Sequence, residues 1–197
     1  MKKDERIKLK MLLNELIGCI QGEWFIGDGA LLGLIRENDL LEFDNDIDIF
    51  LLPGSKIKIP DDSFIKYNKY YMDSKVSNKF AENYKPNSGW HEFLGYTRHL
   101  YPGINRAELY KKSSYIYKEK YIIPQFSKPY IDIYYLIENE NNYKIAFWDN
   151  IFFKKEEVDN LISNYSLGFE VKIPSKAEDI LTRQYGNWRI PKPDFKY

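Results

Sequence analysis

The chain has 197 residues, with 29 Lys and Arg against 29 Asp and Glu, two histidines and one cysteine. That length supports a sizeable core in one domain, and the charge balance gives no basic excess for a nucleic-acid backbone and no acidic tail. Cys19 cannot close an internal disulfide, the charged N-terminus lacks a signal-peptide pattern, and no apolar run is long enough to span a membrane. The expectation is a cytoplasmic protein with a single domain over residues 1–197 and a small-molecule partner.

Taken in chain order, Leu9, Leu12, Leu13, Leu16, Ile17 and Ile20 recur at three- and four-residue spacing, which predicts an amphipathic helix over residues 4–20 with Lys8, Lys10 and Glu15 toward water. Trp24-Phe25-Ile26 reads as a strand and Gly27-Asp28-Gly29 as a tight turn. Residues 30–37 then read as a helix closed by Asn38-Asp39. Residues 47–52 form a further predicted strand, stopped by Pro53-Gly54. Between about residues 62 and 118, pieces such as Phe64-Ile65-Lys66-Tyr67 and Ala107-Glu108-Leu109-Tyr110 predict antiparallel strands of a half-exposed sheet, divided by turn clusters at 85–89 and at Pro102-Gly103. A strand over 130–137 carries Asp132 in an apolar setting, and a polar turn at 138–142 leads to a strand over 143–148. Ser175 and Glu178 have capping-box spacing, predicting a last helix with the stripe Ala177, Ile180, Leu181 and Tyr185 and a stop at Gly186. There is no internal repeat or linker.

The chemistry concentrates in Asp44-Asn45-Asp46-Ile47-Asp48-Ile49. In a strand, Asp46 and Asp48 share one face while Ile47 and Ile49 anchor the other. Two half-buried carboxylates about 7 Å apart along the backbone repel each other and lose hydration, and one divalent cation removes that conflict. A helix-loop-helix calcium loop is ruled out by Ile49 where Gly is required and Ser55 where Glu is required. An Asp-x-Asp sugar-nucleotide transferase is a competing reading, but there the apolar strand precedes the acids. Gly27-Asp28-Gly29 opening a helix suits a phosphate at the helix N-terminus, with Asp28 alternatively a plain N-cap. Arg36, two turns along, can reach a diphosphate or serve as a surface ion-pair partner.

Gly29-Ala30-Leu31-Leu32-Gly33-Leu34-Ile35-Arg36 followed by Asp44-Asn45-Asp46-Ile47-Asp48-Ile49 resembles the signature of the LicD-type phosphotransferases, which include phosphocholine transferases and are similar to fukutin-type ribitol-phosphate transferases. Tyr130-Ile131-Asp132-Ile133-Tyr134 resembles that family's third-acid strand. Val171-Lys172-Ile173-Pro174 through Tyr185-Gly186-Asn187-Trp188 and Pro191 resembles its closing segment. The resemblance covers about residues 24–52, 130–137 and 152–193 in the family's order. It implies an α+β (α/β) nucleotidyltransferase-like fold, a mixed, largely antiparallel sheet with helices packed mainly on one face.

It further implies Asp46 and Asp48 as the metal-binding pair for Mg2+ or Mn2+, and Asp132 as a third acid, either ligand or base. Gly29, Ala30 and Arg36 become the candidate phosphate-binding residues, with Asp44, Asp28, Tyr185 and Trp188 as additional site residues. The implied reaction is transfer of phosphocholine or a polyol phosphate from a CDP-activated alcohol to a glycan or lipid-linked sugar acceptor. The alternatives are transfer of a nucleotide itself, or an inactive family member that binds a nucleotide or sugar. Two departures stand out: Ala30 where the family has Thr or Ser, and Glu42-Phe43 where it has Pro-Trp. In the middle segment, Trp90, Tyr96 and Tyr101 are candidates for stacking on a base or enclosing a quaternary ammonium, although such aromatics are far more often sheet packing. His91 and His99 read as a surface or structural pair, and Arg98 and Arg106 as phosphate partners.

Overall fold

A computed structural model describes residues 3–44, 46–57, 63–67, 70–73, 106–118, 121–145 and 152–191. Trp90, Tyr96, Tyr101, His91, His99, Arg98 and the turn clusters at 85–89 and 102–103 lie outside the described residues. The described elements are α1 (Lys3–Ile17), β1 (Ile20–Gln21), β2 (Trp24–Gly27), α2 (Asp28–Arg36), β3 (Asp46–Leu51), β4 (Lys56–Ile57), β5 (Ser63–Tyr67), β6 (Tyr70–Asp73), β7 (Arg106–Lys118) and β8 (Tyr121–Asn139), then β9 (Asn142–Ile145), β10 (Phe152–Lys154), α3 (Lys155–Val158), β11 (Leu161–Asn164), β12 (Val171–Pro174) and α4 (Ala177–Tyr185). None of these helices is long and apolar enough to cross a membrane.

The architecture is α+β around a mixed sheet. Strands run in the order β10-β9-β8-β7-β5-β6, and β3 lies beside β8 with β2 beyond it. The β3–β8 pairing is parallel, whereas β2–β3, β7–β8, β8–β9 and β5–β7 are antiparallel. Alternation along β3 sorts its side chains. Ile47, Ile49 and Leu51 are fully buried with Ile131 and Ile133 of β8, while Asp46, Asp48 and Phe50 take the other face. On that face Phe50 stacks on Tyr134 with centroids 4.9 Å apart and on Phe25 at 5.3 Å. Phe153 closes edge-on against Phe25 and Phe50. One face of β3 thus carries acids at its start and an aromatic core at its end.

Helix α1 buries the expected stripe, Leu9, Leu12, Leu13 and Leu16. It stops at Ile17, three residues short of the predicted end, because Gly18 and Cys19 turn the chain and the Cys19 N–H closes on the Leu16 carbonyl at 2.9 Å. Ile20 instead pairs with Ile57 in a two-stranded ribbon. No loop separates β2 from α2: the strand runs to Gly27, the helix begins at Asp28, and the predicted turn collapses into a single left-handed residue, Asp28, at φ 46°.

The glycine spacing of α2 has a packing origin. A Cβ at Gly33 would lie 2.6 Å from the Asp39 carbonyl oxygen and 2.8 Å from the Leu41 nitrogen, because residues 39–41 cross the helix there. Both obstacles are backbone and cannot rotate away. Gly33→Ala is therefore expected to lower stability by about 2–3 kcal/mol and the melting temperature by roughly 4–10 °C, read by thermal unfolding.

The predicted capping box does not form. Lys176 holds the N-cap position of α4 without a side-chain cap bond. The Ser175 N–H is tied to the Asn160 carbonyl at 2.9 Å, and Glu178 is drawn into an ion pair with Arg189. Tertiary partners have outcompeted the local cap. The stripe Ala177, Ile180 and Leu181 is buried, and Gly186 at φ 66° ends the helix. Helix α4 is fastened to α3 through Arg183, whose guanidinium forks onto the buried Glu157, with Nη2 2.9 Å from Oε2. The Lys154 N–H donates to the same carboxylate at 2.9 Å.

Candidate active site

Acids gather where β2 gives way to α2. Asp48 stands opposite Gly27 across the antiparallel β2–β3 pair and opposite Asp132 across the parallel β3–β8 pair. Register partners in adjacent parallel strands point to the same face, with backbones about 4.8 Å apart, so Asp48 and Asp132 are neighbours and Asp46, two residues earlier, shares their side. Asp46 and Asp48 are half-buried, while Asp132 is 1% exposed. Glu108 of β7 holds the next register position beyond Asp132.

Burial raises the Asp48 carboxyl well above its ordinary range, and the charges of Asp28, Asp46, Asp132 and Asp44 push in the same direction. Five of the acids singled out from the sequence therefore act on one spot. Burial also pushes Asp28 up to about 6; the Gln184 amide works against this and the Asp46 charge adds to it. Gln184 Nε2 donates to Asp28 Oδ1 at 2.8 Å, which brings α4 to the edge of the site. Nothing in the spacing of the last helix singles out Gln184, since it sits on the polar side beside the apolar stripe.

Gly29 and Ala30 form the first turn of α2, and both are buried. A Cβ on residue 29 would lie 2.5 Å from Asp44 Oδ2, so glycine at this position makes room for the Asp44 carboxylate against the positive end of the helix. The remaining candidates sit elsewhere. Arg36, at the opposite end of α2, donates from Nη1 to the Trp188 carbonyl at 3.1 Å and from Nε to Glu37 at 2.7 Å, so these bonds join α2 to the C-terminal segment. Trp188 is buried, with its Nε1 donating to Thr182 Oγ1 at 3.1 Å and the Arg189 guanidinium 4.3 Å from its ring centroid. Tyr185 is half-buried and packs against the core beside Gln184. Arg106 begins β7.

Among the described residues, no three His, Cys, Asp or Glu side chains are arranged to hold a metal ion on their own. Yet the all-oxygen donor set and the unrelieved repulsion around Asp48 suit a hard divalent cation such as Mg2+, which takes one or two carboxylates and completes its shell with water and phosphate oxygens. The residues fit an open, substrate-completed site better than a protein-only cage. No protein-family model and no curated protein matches the chain.

Proposed function

We propose that the chain is a nucleotidyltransferase-like phosphotransferase, moving phosphocholine or a polyol phosphate from a CDP-activated alcohol to a glycan hydroxyl with Mg2+ or Mn2+. The support comes first from the pairing of Asp48 with Asp132 in adjacent parallel strands, with Asp46 on the same face and Asp48 pushed strongly toward its protonated form by burial and four acidic neighbours. The ordered resemblance to LicD-type sequences supplies the donor class. Asp46, Asp48 and Asp132 would hold the cation, which when bound neutralises charge on the transferring phosphate and its leaving group. The chain's own groups supply positioning. The N-terminal turn of α2, at Gly29 and Ala30, offers backbone N–H donors to the diphosphate, and the buried aromatic block behind the acids fixes the strands that carry them.

The test is release of CMP from CDP-choline, CDP-ribitol and CDP-glycerol with Mn2+, against transfer of a nucleotide from ATP. CMP release from a CDP-alcohol that stops on chelation is the expected result. Nucleotide transfer from ATP with no CMP release would favour the nucleotidyltransferase alternative.

A further inference from the structure

Resting on that proposed reaction, we propose that Asp28, pinned by Gln184, is the group that takes the proton of the attacking hydroxyl, leaving Asp132 as a ligand alone. The two acids differ in access. Asp132 is 1% exposed, with Asp48 of β3 and Glu108 of β7 as its register partners on either side. Asp28 stands at the junction of β2 and α2, is half-buried, and is bonded by the exposed Gln184.

Its backbone adds a second observation. Asp28 holds φ 46°, a conformation that non-glycine residues enter at a cost and that recurs where a side chain must be aimed. Gln184 Nε2 occupies Oδ1 at 2.8 Å. Oδ2 has no hydrogen-bond donor among the described residues and is the atom offered to the acceptor.

The acceptor oxygen forms a bond to the phosphorus bearing the alcohol, the bridging oxygen–phosphorus bond to CMP breaks, and CMP leaves with that electron pair. The hydroxyl proton passes to Asp28 Oδ2 and from there to solvent. Gln184 acts through Asp28 and is a positioning residue.

The test uses the full chain with Mn2+ and CDP-choline, CDP-ribitol and CDP-glycerol, water serving as acceptor, and reads CMP release beside the melting-temperature rise that Mn2+ and donor produce. Asp28→Asn is a near-isosteric change, and Asn tolerates a positive φ, so folding is preserved. The expected outcome is a drop in kcat of about 100-fold or more with the Mn2+ and donor responses unchanged, whereas Asp132→Asn loses the Mn2+ response. Gln184→Ala is expected to lower kcat about tenfold without moving the donor KM, and to add nothing in the Asp28→Asn background, the signature of a residue acting through another. Activity of Asp28→Asn within threefold of the parent, or loss of its Mn2+ response, overturns the assignment and leaves the proposed reaction standing. A parent protein that releases no CMP from any of the three donors overturns both.

Discussion

Asp48→Asn is expected to abolish CMP release, by about 10³-fold or more, and at the same time to make the metal-free protein more stable at pH 7. The two effects have one cause. In the fold, Asp48 has its pKa raised, first by burial and then by Asp28, Asp46, Asp132 and Asp44. An acid with a folded pKa above its unfolded value binds more protons folded than unfolded, so stability falls as pH climbs from about 4 toward the folded pKa. Ionised Asp48 is therefore a liability to the empty fold, and a neutral amide of the same shape removes it. The same amide cannot anchor a cation, which is asked for several kcal/mol of charge stabilisation in transfer, and about 4 kcal/mol corresponds to 10³ in rate. Urea or thermal unfolding at pH 5 and pH 7 reads the stability side. The parent should lose stability between those values and the variant should lose less. A variant that is inactive and less stable than the parent would mark Asp48 as a packing residue.

Glu157→Ala carries the largest expected loss of stability. The carboxylate is 3% exposed and accepts both Arg183 guanidinium bonds and the Lys154 N–H, so one residue ties β10, α3 and α4 together. Burial opposes ionisation of Glu157, but the Arg183 hydrogen bonds and the Lys154 N–H prevail and hold its pKa below the ordinary value. Truncation removes the carboxylate that receives both of these guanidinium bonds. The expected destabilisation is about 2–4 kcal/mol, the lower bound reflecting Arg183's partial exposure, or roughly 4–15 °C in melting temperature. Because the folded pKa is depressed, this stabilisation is present above the unfolded pKa, near 4.3, and is lost as pH falls through the folded value. The parent and the variant should therefore converge in strong acid. Equal melting temperatures at pH 7 would show that the clip contributes nothing.

The sequence carried the acids more clearly than it carried their surroundings, for physical reasons. Alternation along Asp46-Ile47-Asp48-Ile49 is a local signal, because a strand separates its faces at every residue and an acid among buried isoleucines stands out. The parallel partnership of Asp48 with Asp132 is not local, and the odd placement of an acid in an apolar strand, with the resemblance of residues 130–134 to a third-acid strand, was all that hinted at it. Strand β8 begins at Tyr121, well before the predicted 130, and includes Pro124 and Pro129, residues that argue against a strand when read alone. Gln184 was illegible: its bond to Asp28 joins positions 156 apart, and glutamine on a helix's polar side is ordinary. Arg36 read both as a diphosphate partner and as an ion-pair partner; its ion pair with Glu37 is local, whereas its bond to the Trp188 carbonyl joins positions 152 apart and left no mark in the sequence. Ser175 and Glu178 have the spacing of a cap, and spacing alone does not know about Asn160 and Arg189.

The account turns on a carboxylate cluster that is complete only with a cation. Calorimetric titration of the apo protein with Mn2+ at pH 7, repeated in buffers of different ionisation enthalpy, tests it most directly. Mn2+ should bind the parent with a proton balance shifted toward release, because burial and four acidic neighbours raise the Asp48 carboxyl above its ordinary range, and Asp48→Asn should not bind. Absence of binding in the parent, or equal affinity in Asp48→Asn, would contradict the account.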